Sequence, residues 1–301
     1  MRLRYGSLSD SERATMAFGI LTRLYQLRYF VRDYIVRKPY KVISYKGEFG
    51  SELKWAIPFA YWHWLNGTLL RTESYFGTKD LYFFSPNHTE VDRKREFFNS
   101  IELPNSEDHN FSYSFRKWTA VRYDQFKSQI NLAFDKPLLI ISNKFNTEFH
   151  RGPVNFISLP LLHSLFETLS TKFSVIYNRP NGKDITEDNS RVLHLGEETL
   201  LEEYKEKVFS LSYLYSTSGK SFQSFNHFQL AVYANCRHFI SVQGGNSVLS
   251  SYFGGTNIVL LKAGAEMPFH EYEHFYPRLS GAKIITCASD TELLASVSRI
   301  F

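Results

Sequence analysis

Apolar and polar positions along this chain follow two periods, and the clearest switch between them lies from Cys236 to Gly264. A β-rich run, His238 to Val242, breaks at Gly244-Gly245 and passes into a small-residue helical segment from Asn246 to Phe253. It resumes as an apolar run from Asn257 to Leu261. The pattern predicts one β-α-β unit with a glycine turn between strand and helix. Leu138 to Ser142 is a continuous apolar run, as expected of a strand buried on both faces of a parallel sheet. A helix over Leu159 to Thr171 and a strand over Phe173 to Tyr177 follow it. Further on come a strand over Arg191 to Leu195, charged and apolar helices over Glu197 to Lys207 and Phe225 to Asn235, a last strand over Lys283 to Thr286 and a closing helix over Asp290 to Ile300.

The first half carries a second unit of the same kind. Val42 to Tyr45 reads as a strand, Gly47 and Gly50 as the turn, and the segment through Trp55, Phe59 and Trp64 as the helix. Strands over Leu81 to Ser85 and Thr119 to Tyr123 are expected beyond it. Upstream, Met16, Ile20, Leu24, Leu27, Val31 and Ile35 recur at helical spacing, so Ser9 to Lys38 is expected to be a helix that Pro39 ends. Its interleaved Arg13, Arg23, Arg28, Arg32, Arg37 and Lys38 admit two readings: a helix lying on an anionic membrane surface, or one packed across the domain with its arginines solvated. The resulting fold class is α/β, with an N-terminal basic helix (1–38) and two Rossmann-like domains (39–135 and 136–301) facing a cleft.

Composition alters this picture little. The chain has 301 residues, 43% hydrophobic and 22% charged, which suits a folded globular protein of two domains. Its net charge of +5 lies largely in the first forty residues, so nothing compels nucleic-acid binding. Cys236 and Cys287 have no paired spacing that would indicate a disulfide framework or a zinc site. No stretch is long and apolar enough to span a membrane and no signal-peptide pattern opens the chain. A cytoplasmic protein, with membrane contact through the first helix as the open alternative, is therefore expected.

The chemistry concentrates beyond the carboxyl ends of the predicted strands, where open α/β sheets bind ligands. Gly244-Gly245 permits close backbone approach, and the N–H groups at Gly245, Asn246 and Ser247 would face a phosphate; equally, the pair can be a tight connection capped by Asn246 or Ser247. Asn143, Lys144 and Arg151 follow the strand ending at Ser142, where cations can neutralise a diphosphate. Gln243 precedes the glycine pair, and Glu266 can accept hydrogen bonds from the sugar hydroxyls of a nucleotide. Glu48 lies between the glycines of the first turn and is a candidate general base, with Glu52 and Glu148 as substitutes.

The two glycine segments resemble the two-domain GT-B glycosyltransferases. Ala234 to Leu261, opening A-N-C-R-H-F-I-S-V-Q-G-G-N-S-V-L, is similar to family 61 enzymes, which include plant xylosyltransferases and O-linked N-acetylglucosamine transferases, and more distantly to heptosyltransferases. Gly47-Glu48-Phe49-Gly50 resembles the first loop of fucosyltransferases, with Ser51-Glu52 where that loop has Asn-Gln. The resemblance implies inverting, metal-independent transfer from a nucleotide-diphosphate sugar to a hydroxyl of a glycan acceptor, with no resident cofactor. The absence of any D-x-D triplet agrees with it. A nucleotide- or sugar-phosphate-binding protein without transfer chemistry is the alternative class.

Overall fold

A computed structural model describes residues 27–92, 115–131, 134–148, 152–179, 191–264 and 266–301. The helix expected from Ser9 lies outside these residues up to Gln26. From Leu27 the chain is helical to Val36, and Arg37 ends it in the left-handed region at φ 50°. Among the described residues no helix is long and apolar enough to cross a membrane.

The first sheet contains β1 (Lys41–Ser44), β2 (Leu69–Tyr75) and β3 (His88–Asp92), in that order and all parallel. Helix α1 (49–65) joins β1 to β2. Its turn Glu52–Ala56 is wound as a π-helix. Pro58 explains the widening, for it has no N–H to offer the carbonyl of Lys54, and the indole N–H of Trp118 donates to that oxygen instead, at 2.8 Å.

The second sheet has six parallel strands in the order β6-β5-β4-β7-β8-β9: β4 (Leu138–Ser142), β5 (Ser174–Asn178), β6 (Val208–Ser210), β7 (His238–Val242), β8 (Thr256–Leu260) and β9 (Lys283–Cys287). Alternation along β4 sends Leu139 and Ile141 to one face and Ile140 to the other, and both faces are covered, as a parallel sheet requires. On one face α2 (Leu159–Leu169) and the closing helix complete a cluster with Ile240, Ile258 and Leu293. On the other, α3 (Phe225–Ala234) lies in a second cluster that runs without interruption into the first half, through Phe126, Tyr123, Leu81, Leu53 and Ile43. The two sheets thus share one apolar core.

Several expectations give way here. Leu81 to Ser85 is not a strand: Lys79–Tyr82 forms a 3₁₀ turn that buries Leu81 and Tyr82, and the strands of this region are β2 and β3. The hydrophobic pattern misses β2 because its inward side chains include Thr72 and Ser74, fully buried but bonded to His88 and Ser85 and to Glu52. Thr119 to Tyr123 joins no ladder, and Tyr123–Gln129 is a 3₁₀ helix against α3. Arg191 to Leu195 contributes only a single bridge, Val192 to Asn146. The charged helix shortens to Glu198–Glu203, since the chain turns at Tyr204 to enter β6, and a helix at Leu211–Ser218 follows.

A buried polar cluster fixes the helical segment 27–36 to the first sheet. The Asp33 carboxylate accepts from Tyr40 at 2.6 Å and pairs with Lys117 at 2.7 Å, and His63, fully buried, shares a hydrogen bond of 2.7 Å with Thr68. Burial, with the positive charges of Lys41 and Lys117, pushes the pKa of His63 down to about 2. Asp33 lies 3.8 Å from the ring but does not hold it protonated, because Lys117 and Tyr40 already occupy that carboxylate. In the unfolded chain His63 takes up a proton near 6.5; between there and about 2 the unfolded state binds more protons, so stability falls as pH falls through this window. We expect urea unfolding to show a loss approaching about 1.4 kcal/mol per pH unit below about pH 6.5, and His63→Gln to flatten that slope. An unchanged slope in the variant would assign the acid sensitivity elsewhere.

Candidate active site

In the second sheet the order reverses between β4 and β7: β5 and β6 lie beyond one, β8 and β9 beyond the other. Crossovers that leave adjacent strands toward opposite faces open a crevice at their carboxyl ends. The loops after Ser142 and Val242 meet there.

Lys144 and Gln243 come from these two loops. The Lys144 ammonium donates to Gln243 Oε1 at 3.0 Å and forms an ion pair with Glu148. Gln243 Nε2 donates to both oxygens of Glu266, at 3.1 and 3.0 Å. A cation, an amide and a carboxylate therefore stand in one row across the reversal. Asn155 supports the row from below. Its side chain donates to Glu148 at 3.0 Å and to the Ala263 carbonyl at 2.8 Å, and it accepts from the N–H groups of Lys262 and Ala263. Nothing in the sequence singled it out, for it stands in an apolar stretch and its partners are more than a hundred residues away in one direction.

Asn143 has a different part. Its Oδ1 accepts from the N–H groups of Lys144 and Ile157, both at 2.9 Å, and its Nδ2 donates to the Ile157 carbonyl, so this buried side chain shapes the loop that presents Lys144. Arg151 lies outside the described residues.

Gly244 adopts φ 120°, a conformation that side chains resist, and a Cβ there would stand 3.3 Å from the Lys144 nitrogen. Helix α4 (Gly245–Ser250) starts beyond it. At Gly245 the reason for glycine is packing: a Cβ would come within 2.5 Å of the Phe49 ring, which reaches over from the first glycine turn. Asn246 is half-buried. Ser247 is buried and turns inward, its hydroxyl donating to the Gly244 carbonyl at 2.8 Å and its N–H to the same oxygen at 3.0 Å. The Gly245 and Asn246 N–H groups remain the ones at the helix start that suit an anion.

The first turn brings Glu48 close to this place, one residue before Phe49. Glu48 is exposed; its carbonyl accepts from the Tyr45 hydroxyl at 2.9 Å and its carboxylate from Ser51 at 3.3 Å. Glu52 points the other way, fully buried and accepting from Tyr82 at 3.0 Å and from Ser74 under β2. Glu148 is engaged by Lys144 and Asn155. Of the three carboxylates, Glu48 alone is exposed.

The halves are tied beside the site. Lys54 of α1 pairs with Glu271 at 2.9 Å, both buried, and the Tyr252 hydroxyl donates to the Leu53 carbonyl at 2.6 Å. Phe275 packs against Trp55, Phe115 and Trp118.

No sequence family matches the chain, and no characterised protein sequence is significantly similar to it. Its fold is nonetheless similar to solved structures. The ADP-heptose LPS heptosyltransferase II of E. coli superimposes with a TM-score of 0.53 at 10% identity, over 86% of this chain and 97% of that one. A family 9 glycosyltransferase from Veillonella parvula gives a TM-score of 0.45 at 11% identity, over 88% of this chain and 91% of that one. The E. coli heptosyltransferase WaaC with ADP gives 0.37 at 13% identity, over 99% and 79%. The first likeness establishes the shared architecture, a parallel α/β fold of GT-B-like type, and at such identity it assigns no residue a role.

The contact of Phe49 with Gly245 yields a direct test. Gly245→Ala should cost about 1–3 kcal/mol in urea unfolding, and the cost should shrink in a Phe49→Ala background. An equal cost in both backgrounds would show that the ring is not what forbids a side chain there.

Proposed function

We propose that the protein is a glycosyltransferase that moves a sugar from a nucleotide-diphosphate sugar to a hydroxyl of a glycan or glycoconjugate acceptor. The observation that carries this reading is the row Lys144–Gln243–Glu266 across the strand-order reversal, in a fold shared with a heptosyltransferase. Lys144 has three N–H donors. Glu148 and Gln243 engage the ammonium, and its nitrogen would stand 3.3 Å from a Cβ at Gly244, so a phosphate oxygen above that turn would meet a cation already held in place. Arg151 belongs to the same proposal as a second cation. Glu266 suits the hydroxyls of a sugar, and Glu48, across from the turn, is the proposed base that takes the acceptor's proton.

In this reading the domains are those of the sequence, 39–135 for the acceptor and 136–301 for the donor. Transfer is inverting and needs neither metal nor resident cofactor, Lys144 and the turn taking up the charge of the leaving diphosphate. The donor sugar divides between the ADP-heptose named for the E. coli neighbour and the xylosyl or N-acetylglucosaminyl donors that the family 61 resemblance implies. Peripheral membrane contact is supported by Phe30, Ile35 and Val36, exposed beside Arg28, Arg32 and Arg37. Phe30→Ser with Ile35→Ser should then reduce co-sedimentation with phosphatidylglycerol vesicles; undiminished pelleting would remove this face from the contact.

A panel of ADP-, UDP- and GDP-linked sugars, assayed in EDTA for binding and for transfer or slow hydrolysis, tests the main proposal. Tight binding of an intact donor with no turnover would favour a binding protein, and rescue by Mg²⁺ or Mn²⁺ would reject the metal-free mechanism. Lys144→Ala should weaken nucleoside-diphosphate binding more than nucleoside binding. Glu48→Gln should keep donor affinity and melting temperature while transfer falls by roughly 10²-fold or more; near-normal transfer would exclude it as the base.

A further inference from the structure

The Lys144 ammonium is shared with a carboxylate to which the proposed chemistry gives no part. Glu148 Oε1 pairs with Lys144, while Glu148 Oε2 accepts two hydrogen bonds from Asn155, at 3.1 Å from its backbone N–H and 3.0 Å from its Nδ2. Asn155 is fully buried, and the direction of its amide is set from elsewhere, because its Oδ1 accepts from the N–H groups of Lys262 and Ala263 at 2.8 and 3.1 Å. One oxygen of Glu148 is thus pinned, and the other faces the cation. Lys262 itself turns its ammonium away, to Asp290 at 2.8 Å. Among the described residues the row therefore sets one ammonium between two carboxylates, Glu148 in direct contact and Glu266 through Gln243.

Holding the loop does not call for a charge at 148. A glutamine there would satisfy Asn155 equally, its amide oxygen accepting from both N–H groups. Lys144 is oriented by Gln243 as well, and its loop by Asn143. What the carboxylate adds is a negative charge beside the group that meets an incoming anion, and it opposes each further negative charge that the anion carries. Donor and product differ in that respect. When the bond from the anomeric carbon to the diphosphate oxygen breaks, the electron pair stays on that oxygen. The acceptor oxygen forms the new bond to the carbon and gives its proton to the base, Glu48 in this reading. The terminal phosphate, an ester in the donor, then takes a second negative charge above about pH 6.

We propose that Glu148, held by Asn155, is a charge-selecting residue: it weakens the pull of Lys144 on a free nucleoside diphosphate more than on the esterified diphosphate of a nucleotide sugar. The product is thereby held less tightly relative to the donor. This rests on reading the crevice as a nucleotide-sugar site.

The test is Glu148→Gln in the full chain. The two donors of Asn155 claim the amide oxygen of the new side chain, so its NH₂ group faces Lys144 and the pairing is lost. Calorimetry at about pH 8, where the terminal phosphate is fully charged, compares ADP with ADP-glucose and UDP with UDP-glucose, with adenosine and uridine as neutral controls. Affinity for the free diphosphates should rise by about threefold to tenfold, for the esters by at least about twofold less, and for the nucleosides not at all. Equal gains for ester and free diphosphate, or no gain, would overturn the selection. Weaker binding of both would also overturn it, showing that the carboxylate serves to place Lys144. If Glu148→Gln does not fold, Glu148→Ala takes its place with the same expectation, and failure of both to fold would show that the fold itself needs the charge and would reject the proposal. If the wild-type protein binds none of the nucleotides, the nucleotide-sugar reading falls by itself. Glu148 is then decided with inorganic pyrophosphate: tighter binding to Glu148→Gln that Lys144→Ala abolishes supports it, and no gain rejects it.

Discussion

The first glycine turn can lie against the second only because residue 245 has no side chain. Phe49 occupies the space a Cβ would need, and from that contact the positions of Glu48, α1 and the whole first sheet relative to the crevice follow. Burying one aromatic ring on a backbone contributes a few kcal/mol of hydrophobic stabilisation, and here it also sets a distance between a carboxylate and a cation from different halves of the chain. The same glycine that sequence reasoning assigns to a ligand is thus needed first by the fold. Gly244 differs: its φ and the Lys144 ammonium beside it make it the glycine of the site.

The contact is reinforced by groups whose cost of burial is offset only while the halves stay together. Lys54 and Glu271 are both buried, and each would be left as a lone charge in an apolar setting if only its partner moved. Asp80 likewise accepts from Ser224 at 2.5 Å and lies 3.3 Å from His227, which fastens the first half to the start of α3. With a core continuous from Ile43 to Phe239, a wide hinge opening would expose apolar surface along with these pairs.

The second sheet was largely legible in the sequence. Continuous apolar runs at Leu138–Ser142, His238–Val242 and Thr256–Leu260 can be buried on both faces only in a parallel sheet, and Asp290–Ile300 shows its helical period openly. The first sheet was legible only at β1 and α1. In β2 the buried positions between Leu69 and Tyr75 are Thr72 and Ser74, hydroxyls whose partners include His88 and Glu52 from other elements, so the hydrophobic period is broken where it would be read. The same distinction divides the site. Lys144, Gln243, Gly244 and Glu266 stand just past strand ends and could be named from topology alone. Asn155 matters through what it touches across the fold. Glu48 and Glu52 occupy one turn and differ only in the direction each faces, which no spacing discloses.

A neutral amide held between two opposite charges has its own electrostatic logic. Lys144 can hold a cationic position some way along the row because Glu148 and Gln243 restrain it there, away from Glu266. Gln243 separates the two charges, accepting from one and donating to the other, and an ionisable residue at 243 would collapse the row toward one end.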